Sequence, residues 1–254
     1  MTRDEILAEI IECPREAFVL LPDMQVVVRP GWRQLLTPSI KRGGLNEVSF
    51  AQVAEVDAER VIDETIAQYR AHGCKFVWRL GPDSSPHLGA RLAARGLPYT
   101  RSDGMARSTQ MDVAIDPRIT IERVDADSVD IYTRTMAAGW DMDPGPIAVA
   151  NELVARLPQP ARHNLFLARW DGEPAATAGA AIFARSIYLI GGVTLEAFRG
   201  RGLYRALVSA RLAFARERGV SLATSHARAD TSAPILERLG FETLCHYDNY
   251  SFTP

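Results

Sequence analysis

Ser186-Ile187-Tyr188-Leu189-Ile190-Gly191-Gly192-Val193-Thr194 leads through Leu195-Glu196-Ala197-Phe198 into Arg199-Gly200-Arg201-Gly202-Leu203-Tyr204, and from there into a pattern that stops at Gly219. The first run is apolar and reads as a strand. In the last, Leu203, Ala206, Leu207, Ala210 and Phe214 recur on one helical face. A strand entering a Gly/Arg turn that opens directly into a helix is the layout of an anion cradle. The first N–H groups of a helix lack intrahelical partners and carry the positive end of the dipole. Glycines let a phosphate approach them, and arginines add charge-assisted hydrogen bonds.

Only Lys41 and Lys75 among the 29 basic residues are lysines, so an Arg-Gly-Arg-Gly string is less unexpected here than in an average chain. The tetrapeptide alone is equally an ordinary surface turn. The flanking strand and helix favour the anion site.

At these residues the sequence resembles the GCN5-related N-acetyltransferase (GNAT) superfamily, whose acetyl-CoA loop reads Arg/Gln-x-x-Gly-x-Gly/Ala. Arg199 and Gly202 match, whereas Tyr204 stands where Gly or Ala is usual. Downstream, Ser232-Ala233-Pro234-Ile235-Leu236-Glu237-Arg238-Leu239-Gly240-Phe241 is similar to the family's last helix and its Leu-Gly-Phe ending. A Tyr that protonates the departing thiolate in many members is replaced here by Leu236. The resemblance runs from about Ile119 to Phe252.

The resemblance implies acetyl-CoA (coenzyme A) lying along Gly192, Val193 and Thr194. Its diphosphate would rest on Arg199, Gly200, Arg201, Gly202, Leu203 and Tyr204. Ser232 is either a further cofactor contact or a helix N-cap. It also implies direct attack by a primary amine, on a small molecule or a peptide, in a ternary complex. Such an amine is mostly protonated at neutral pH, so a general base matters. Tyr188 stands where some members carry a carboxylate, and His226 follows the strand ending at Thr224. These are the catalytic candidates; the plainer alternatives are a pocket-wall aromatic and a loop histidine. Tyr247 and Tyr250 have a smaller claim to donate to the thiolate, and Glu196 reads as solvated. Trp140, Asp141 and Asp143 either line the acceptor pocket or form an exposed acidic turn.

A chain of 254 residues with 47% apolar residues can bury a sizeable core in one large domain or two small ones. Its formal charge of −2 gives no general attraction to nucleic acid. No apolar run approaches a membrane span, and Met1-Thr2-Arg3-Asp4-Glu5-Ile6-Leu7 does not read as a signal segment. Cys13, Cys74 and Cys245 are too scattered for a disulfide framework or metal cluster and read as core thiols, so a cytoplasmic location is expected and no metal.

The first half repeats the second in outline. Strands are expected at Met24–Val28, Glu47–Gln52 and Lys75–Leu80, with helices at Ala58–His72 and Leu88–Arg95, the latter ending in Gly96-Leu97 as the later one ends in Gly240-Phe241. Opposite the Arg199–Gly202 loop stands Val53-Ala54-Glu55-Val56, with no glycine and one carboxylate. Lys41-Arg42-Gly43-Gly44 reads as a structural turn, and Ser108 to Ala114 as a possible strand. The expected fold is α/β, with two GNAT-like mixed-sheet domains in tandem. The first, 1–115, is degenerate and has no phosphate loop; the second, 116–254, carries it. An unrelated N-terminal α/β domain is the alternative. Three functions fit: an acetyl-CoA-dependent N-acetyltransferase, a non-catalytic acyl-CoA-binding sensor or regulatory module, and a nucleotide-phosphate binder. The acceptor and the oligomeric state are not legible.

Overall fold

The computed structural model describes residues 1–41, 44–111 and 113–254. Arg42 and Gly43 of the expected basic turn, and Asp112 of the possible strand after Ser108, lie outside the described residues. The fold is α/β with parallel and antiparallel strand pairs. Its two compact units are not contiguous halves. One comprises 1–19, 104–227 and 234–244; the other comprises 20–103, 228–233 and 245–254.

The chain opens with α1 (Arg3–Glu12), an element the sequence reading does not include. Thr2 and Glu5 cap it reciprocally: the Glu5 N–H donates to Thr2 Oγ1 and the Thr2 N–H to Glu5 Oε2. Thr-x-x-Glu ahead of an apolar pattern is the signature of this box.

The second unit then begins with β1 (Gln25–Arg29), β2 (Trp32–Leu36) and β3 (Glu47–Ser49), followed by α2 (Ala58–Ala71), β4 (Phe76–Leu80) and α3 (Leu88–Ala94). Its strands run β1-β2-β3-β4-β11-β5, where β5 is Tyr99–Ser108 and β11 is Glu242–Phe252; β3 and β4 pair in parallel. The core holds Trp32 edge-on to Trp78 at 5.6 Å and Tyr69 stacked on Phe76 at 4.0 Å. Strand β2 carries no alternation because all five of its residues are buried. The Gln34 amide donates to Gln68, and Arg33 lies 3.5 Å from Glu47. Between β3 and α2, the turn Glu55–Asp57 is a short 3-10 helix that runs straight into Ala58.

The remaining elements are β6 (Ile119–Arg123), α4 (Val129–Trp140), α5 (Pro144–Ala155), β7 (His163–Trp170), β8 (Glu173–Ile182), β9 (Ser186–Thr194), α6 (Leu203–Arg216), β10 (Leu222–Arg228) and α7 (Ala233–Arg238). In the first unit the strand order is β10-β9-β8-β7-β6. Asp171 and Gly172 both take positive φ at the β7–β8 hairpin, the backbone that an Asp-Gly turn supplies without strain. On the buried face of α6, Phe214 meets Phe166 edge-on at 5.5 Å. Among the described residues no helix is long and apolar enough to cross a membrane. All three cysteines are buried thiols.

Candidate functional site

β9 and β10 begin as a parallel pair, with Leu222 opposite Ser186 and Ser225 opposite Leu189. There the ladder ends, although β9 continues to Thr194 and β10 to Arg228. Past the fork, the backbone groups of β9 that faced β10 have no sheet partner on that side. On its other edge β9 bulges. Thr177 pairs with Val193 and Gly179 with Ile190, so Gly191 and Gly192 together face Ala178. Gly191 takes φ +55, the left-handed backbone that lets a bulge turn its amides out of line.

Beyond β9 the chain makes a 3-10 turn at Glu196–Phe198 and reaches α6 through Arg199-Gly200-Arg201-Gly202. Gly200 and Gly202 have φ +78 and +82, and Gly202 is the N-cap with no side chain bonding into the first turn. A β-carbon built on Gly191, Gly200 or Gly202 would meet nothing within 4 Å. The space beside these glycines is thus open, as an anion approaching a helix start requires.

Aromatic rings steer the arginines here. Arg201 lies over Trp170 at 5.0 Å and over Phe198 at 5.3 Å, while Arg118 lies over Trp170 at 4.2 Å. Arg118 also pairs with Asp116 at 2.7 Å and, by that hydrogen bond, holds its carboxyl down at about 2. Asp116, Arg118, Trp170, Gly200, Arg201, Gly202 and Arg205 line an open hollow of about 760 Å³. Arginines outnumber the single carboxylate, so the hollow favours an anionic ligand. Arg118 and Trp170 escaped the sequence reading because they flank the junction after Asp116-Pro117 and the Asp-Gly turn, and only sheet pairing brings Ile119 opposite Trp170.

Tyr204, the departure from the loop pattern, is half-buried, and its ring occupies the space over Gly192. A β-carbon there would lie 2.8 Å from Tyr204 Cε2. The bulk of this ring on the helix is accommodated by a glycine on the strand.

Tyr188 and His226 come together, ring centroids 5.5 Å apart and edge-on. Tyr188 is buried against Ala17, Ala181, Phe183 and Ile190. His226 is the first residue of β10 past the fork, and its Nε2 lies 2.9 Å from the Ile10 carbonyl of α1. A carbonyl can only accept, so Nε2 carries the hydrogen and Nδ1 is the basic nitrogen of the neutral ring. The strand holding His226 continues beyond the expected end at Thr224, so the histidine sits on a strand rather than a loop.

The other candidates are occupied locally. Ser232 Oγ accepts from the Arg228 N–H at 2.8 Å, and Ser232 falls in the second unit. Asp143 caps α5 through the Gly145 N–H at 2.9 Å, and Asp141 is the left-handed C-cap of α4. Leu236 is fully buried. Among the described residues no His, Cys, Asp or Glu cluster could hold a metal.

An α/β sheet whose parallel strands part beside a glycine-capped helix, with arginines around that helix end, is an arrangement that suits an anionic ligand along an open strand edge. Residues 129–241 match the family model described as the acetyltransferase (GNAT) family, so this stretch of the chain carries a GNAT domain. The structure is similar to a GCN5-related N-acetyltransferase from Kribbella flavida, with TM-score 0.67, 20% identity and coverage of 100% of this chain and 96% of that one. A GCN5-related N-acetyltransferase from Sphaerobacter thermophilus aligns with TM-score 0.61 at 15% identity, over 88% of this chain and 80% of that one. A tandem GNAT protein from the clavulanic acid biosynthesis pathway aligns with TM-score 0.59 at 14% identity, over 98% and 94%. At these identities the likeness is one of fold. No curated protein matches the sequence.

Proposed function

We propose that the chain transfers an acetyl group from acetyl-CoA to a primary amine by direct attack, on a small molecule or a peptide. One observation carries the reading: the β9–β10 ladder ends at Leu189–Ser225, immediately before a bulge and a glycine-capped helix start. Gly192, Val193 and Thr194 lie on the open strand, and the amides of Gly200 to Tyr204, with Arg199 and Arg201, suit a diphosphate. Acetyl-CoA, when bound, supplies the activated acyl thioester. Amides freed on β9 stabilise negative charge on the carbonyl oxygen without reorganising. His226, fixed by Ile10, takes the amine proton at Nδ1, and the Tyr188 ring keeps the imidazole in place. With Leu236 apolar and buried, the thiolate is protonated by solvent or by His226.

The second unit supports the reading of a degenerate GNAT-like first member in a tandem chain. It repeats the order parallel strand, 3-10 turn, helix, parallel strand, short helix through β3, α2, β4 and α3. Where the other unit inserts Arg199 to Gly202, nothing separates Asp57 from Ala58, and no glycine-lined cradle can form. In this reading the catalytic member comprises 116–254. Buried thiols suit a reducing cytoplasm.

Thiol release with a panel of amines tests the function; coenzyme binding without turnover on any amine would make the chain an acyl-CoA sensor instead. Removing the Arg201 side chain (Arg201→Ala) is expected to weaken coenzyme A by about tenfold while leaving pantetheine, which lacks the diphosphate, unaffected in calorimetric titrations. His226→Gln is expected to lower turnover by about 10²-fold. Tyr188→Phe, which keeps the ring, leaves turnover unchanged. A silent His226 variant and a slow Tyr188 variant would reverse the two roles.

A further inference from the structure

We infer that Arg211 is a positioning residue for acyl transfer: anchored on α6, it pins the β8–β9 bulge so that the β9 amides keep their aim at the thioester carbonyl. The inference rests on the proposed placement of acetyl-CoA along β9.

Arg211 is 1% exposed, on the helix face that otherwise buries Leu207, Leu212 and Phe214. A guanidinium withdrawn from water costs several kcal/mol unless a counter-charge and hydrogen bonds offset it. Among the described residues no carboxylate pairs with Arg211. Burial draws its pKa down to about 10, against the opposing pull of Tyr204 and Tyr132, so it stays charged at neutral pH. A leucine would fill this helix position with no desolvation cost. The fork is used differently: Nε donates to the Leu207 carbonyl and Nη1 to the Gly179 carbonyl, both at 3.0 Å.

Gly179 is the residue at which β8 resumes pairing after the irregularity. A bulge leaves the ladder locally unpaired, and register there is weakly specified. A rigid donor on a packed helix, bonded to that carbonyl, fixes where the bulge sits. The other arm, Nη2, lies 3.9 Å from the position of a β-carbon on Gly192, so one guanidinium spans α6, β8 and the bulged turn of β9. Its planar fork can hold two carbonyls in fixed directions, which a lysine ammonium cannot reproduce.

The test uses the full chain with Arg211→Lys and Arg211→Met and three measurements: calorimetric titration with coenzyme A, hydrogen exchange of peptides covering Gly191 to Thr194, and difference infrared spectroscopy of acetyl-CoA labelled with carbon-13 at the thioester carbonyl. In the unaltered protein the carbonyl band shifts to lower frequency on binding. In both variants coenzyme A affinity stays within about threefold, because the cradle is intact, while Gly191 to Thr194 exchange about tenfold faster and the band shift is lost. Lysine keeps the charge, so its failure assigns the effect to the fork, and it decides the matter should the methionine variant not fold. Unchanged exchange and an unchanged band in either folded variant would overturn the role of Arg211. Coenzyme A that fails to bind the unaltered protein would overturn the proposed function itself, a separate result.

Discussion

Gly202→Val is expected to reduce coenzyme A affinity by at least about 100-fold, or roughly 3 kcal/mol, in a calorimetric titration. Two effects combine. Gly202 has φ +82, a backbone that costs a non-glycine residue about 1 to 2 kcal/mol and a β-branched one more. The valine must either hold that strain or rotate the peptide, which turns the first amides of α6 away from the cradle. Its methyl groups would also project into the empty space beside the helix end, where a β-carbon meets no atom within 4 Å. The same space that spares the fold a clash is the space in which we propose the diphosphate rests. Gly219→Val is the control, because Gly219 has φ +73 and equally open surroundings but lies beyond the other end of α6. It should lose stability and keep its affinity. Equal affinities in the two variants would remove the cradle from the site.

Gly192→Ala acts through packing rather than backbone. The added methyl would sit 2.8 Å from Tyr204 Cε2 and 3.3 Å from Cδ2, with Arg211 next behind. An overpacked contact of this kind costs about 1 to 3 kcal/mol and is expected to lower the melting temperature by several degrees. Acyl transfer should fall by more than tenfold, because the bulge whose amides are proposed to bind the carbonyl is displaced with the ring. Adding Tyr204→Leu should recover much of the lost stability, giving a coupling energy of about 1 to 2 kcal/mol in a double-mutant cycle. Additive effects of the two substitutions would show that ring and glycine do not share one space.

The tyrosine at position 204 shows where reading the chain succeeds and where it stops. One-dimensional pattern placed it in the loop and marked it as a departure from the usual small residue. The compensation lies on another element, at Gly192, and becomes visible only when strand and helix are packed. Arg118 and Trp170 were hidden for a similar reason, since cross-strand pairing between β6 and β7 makes them neighbours of Arg201. Arg211 carries no distinguishing signal in an arginine-rich chain. Its burial depends on the sheet beneath α6, which helical periodicity does not reveal.

Local chemistry determined the elements that local chemistry can determine. Asp171-Gly172 specified its hairpin, the period of the apolar residues specified α2 and α6, and Arg199 to Gly202 specified a glycine-capped helix start, because each depends on backbone preferences within a few residues. The tertiary structure decided the rest: that β9 and β10 part after Leu189 and Ser225, that α1 supplies the carbonyl fixing His226, and that residues far apart in the chain share one compact unit. These are long-range pairings. Their energies arise from surfaces that meet only after the chain has folded, so no pattern confined to neighbouring residues can encode them in readable form.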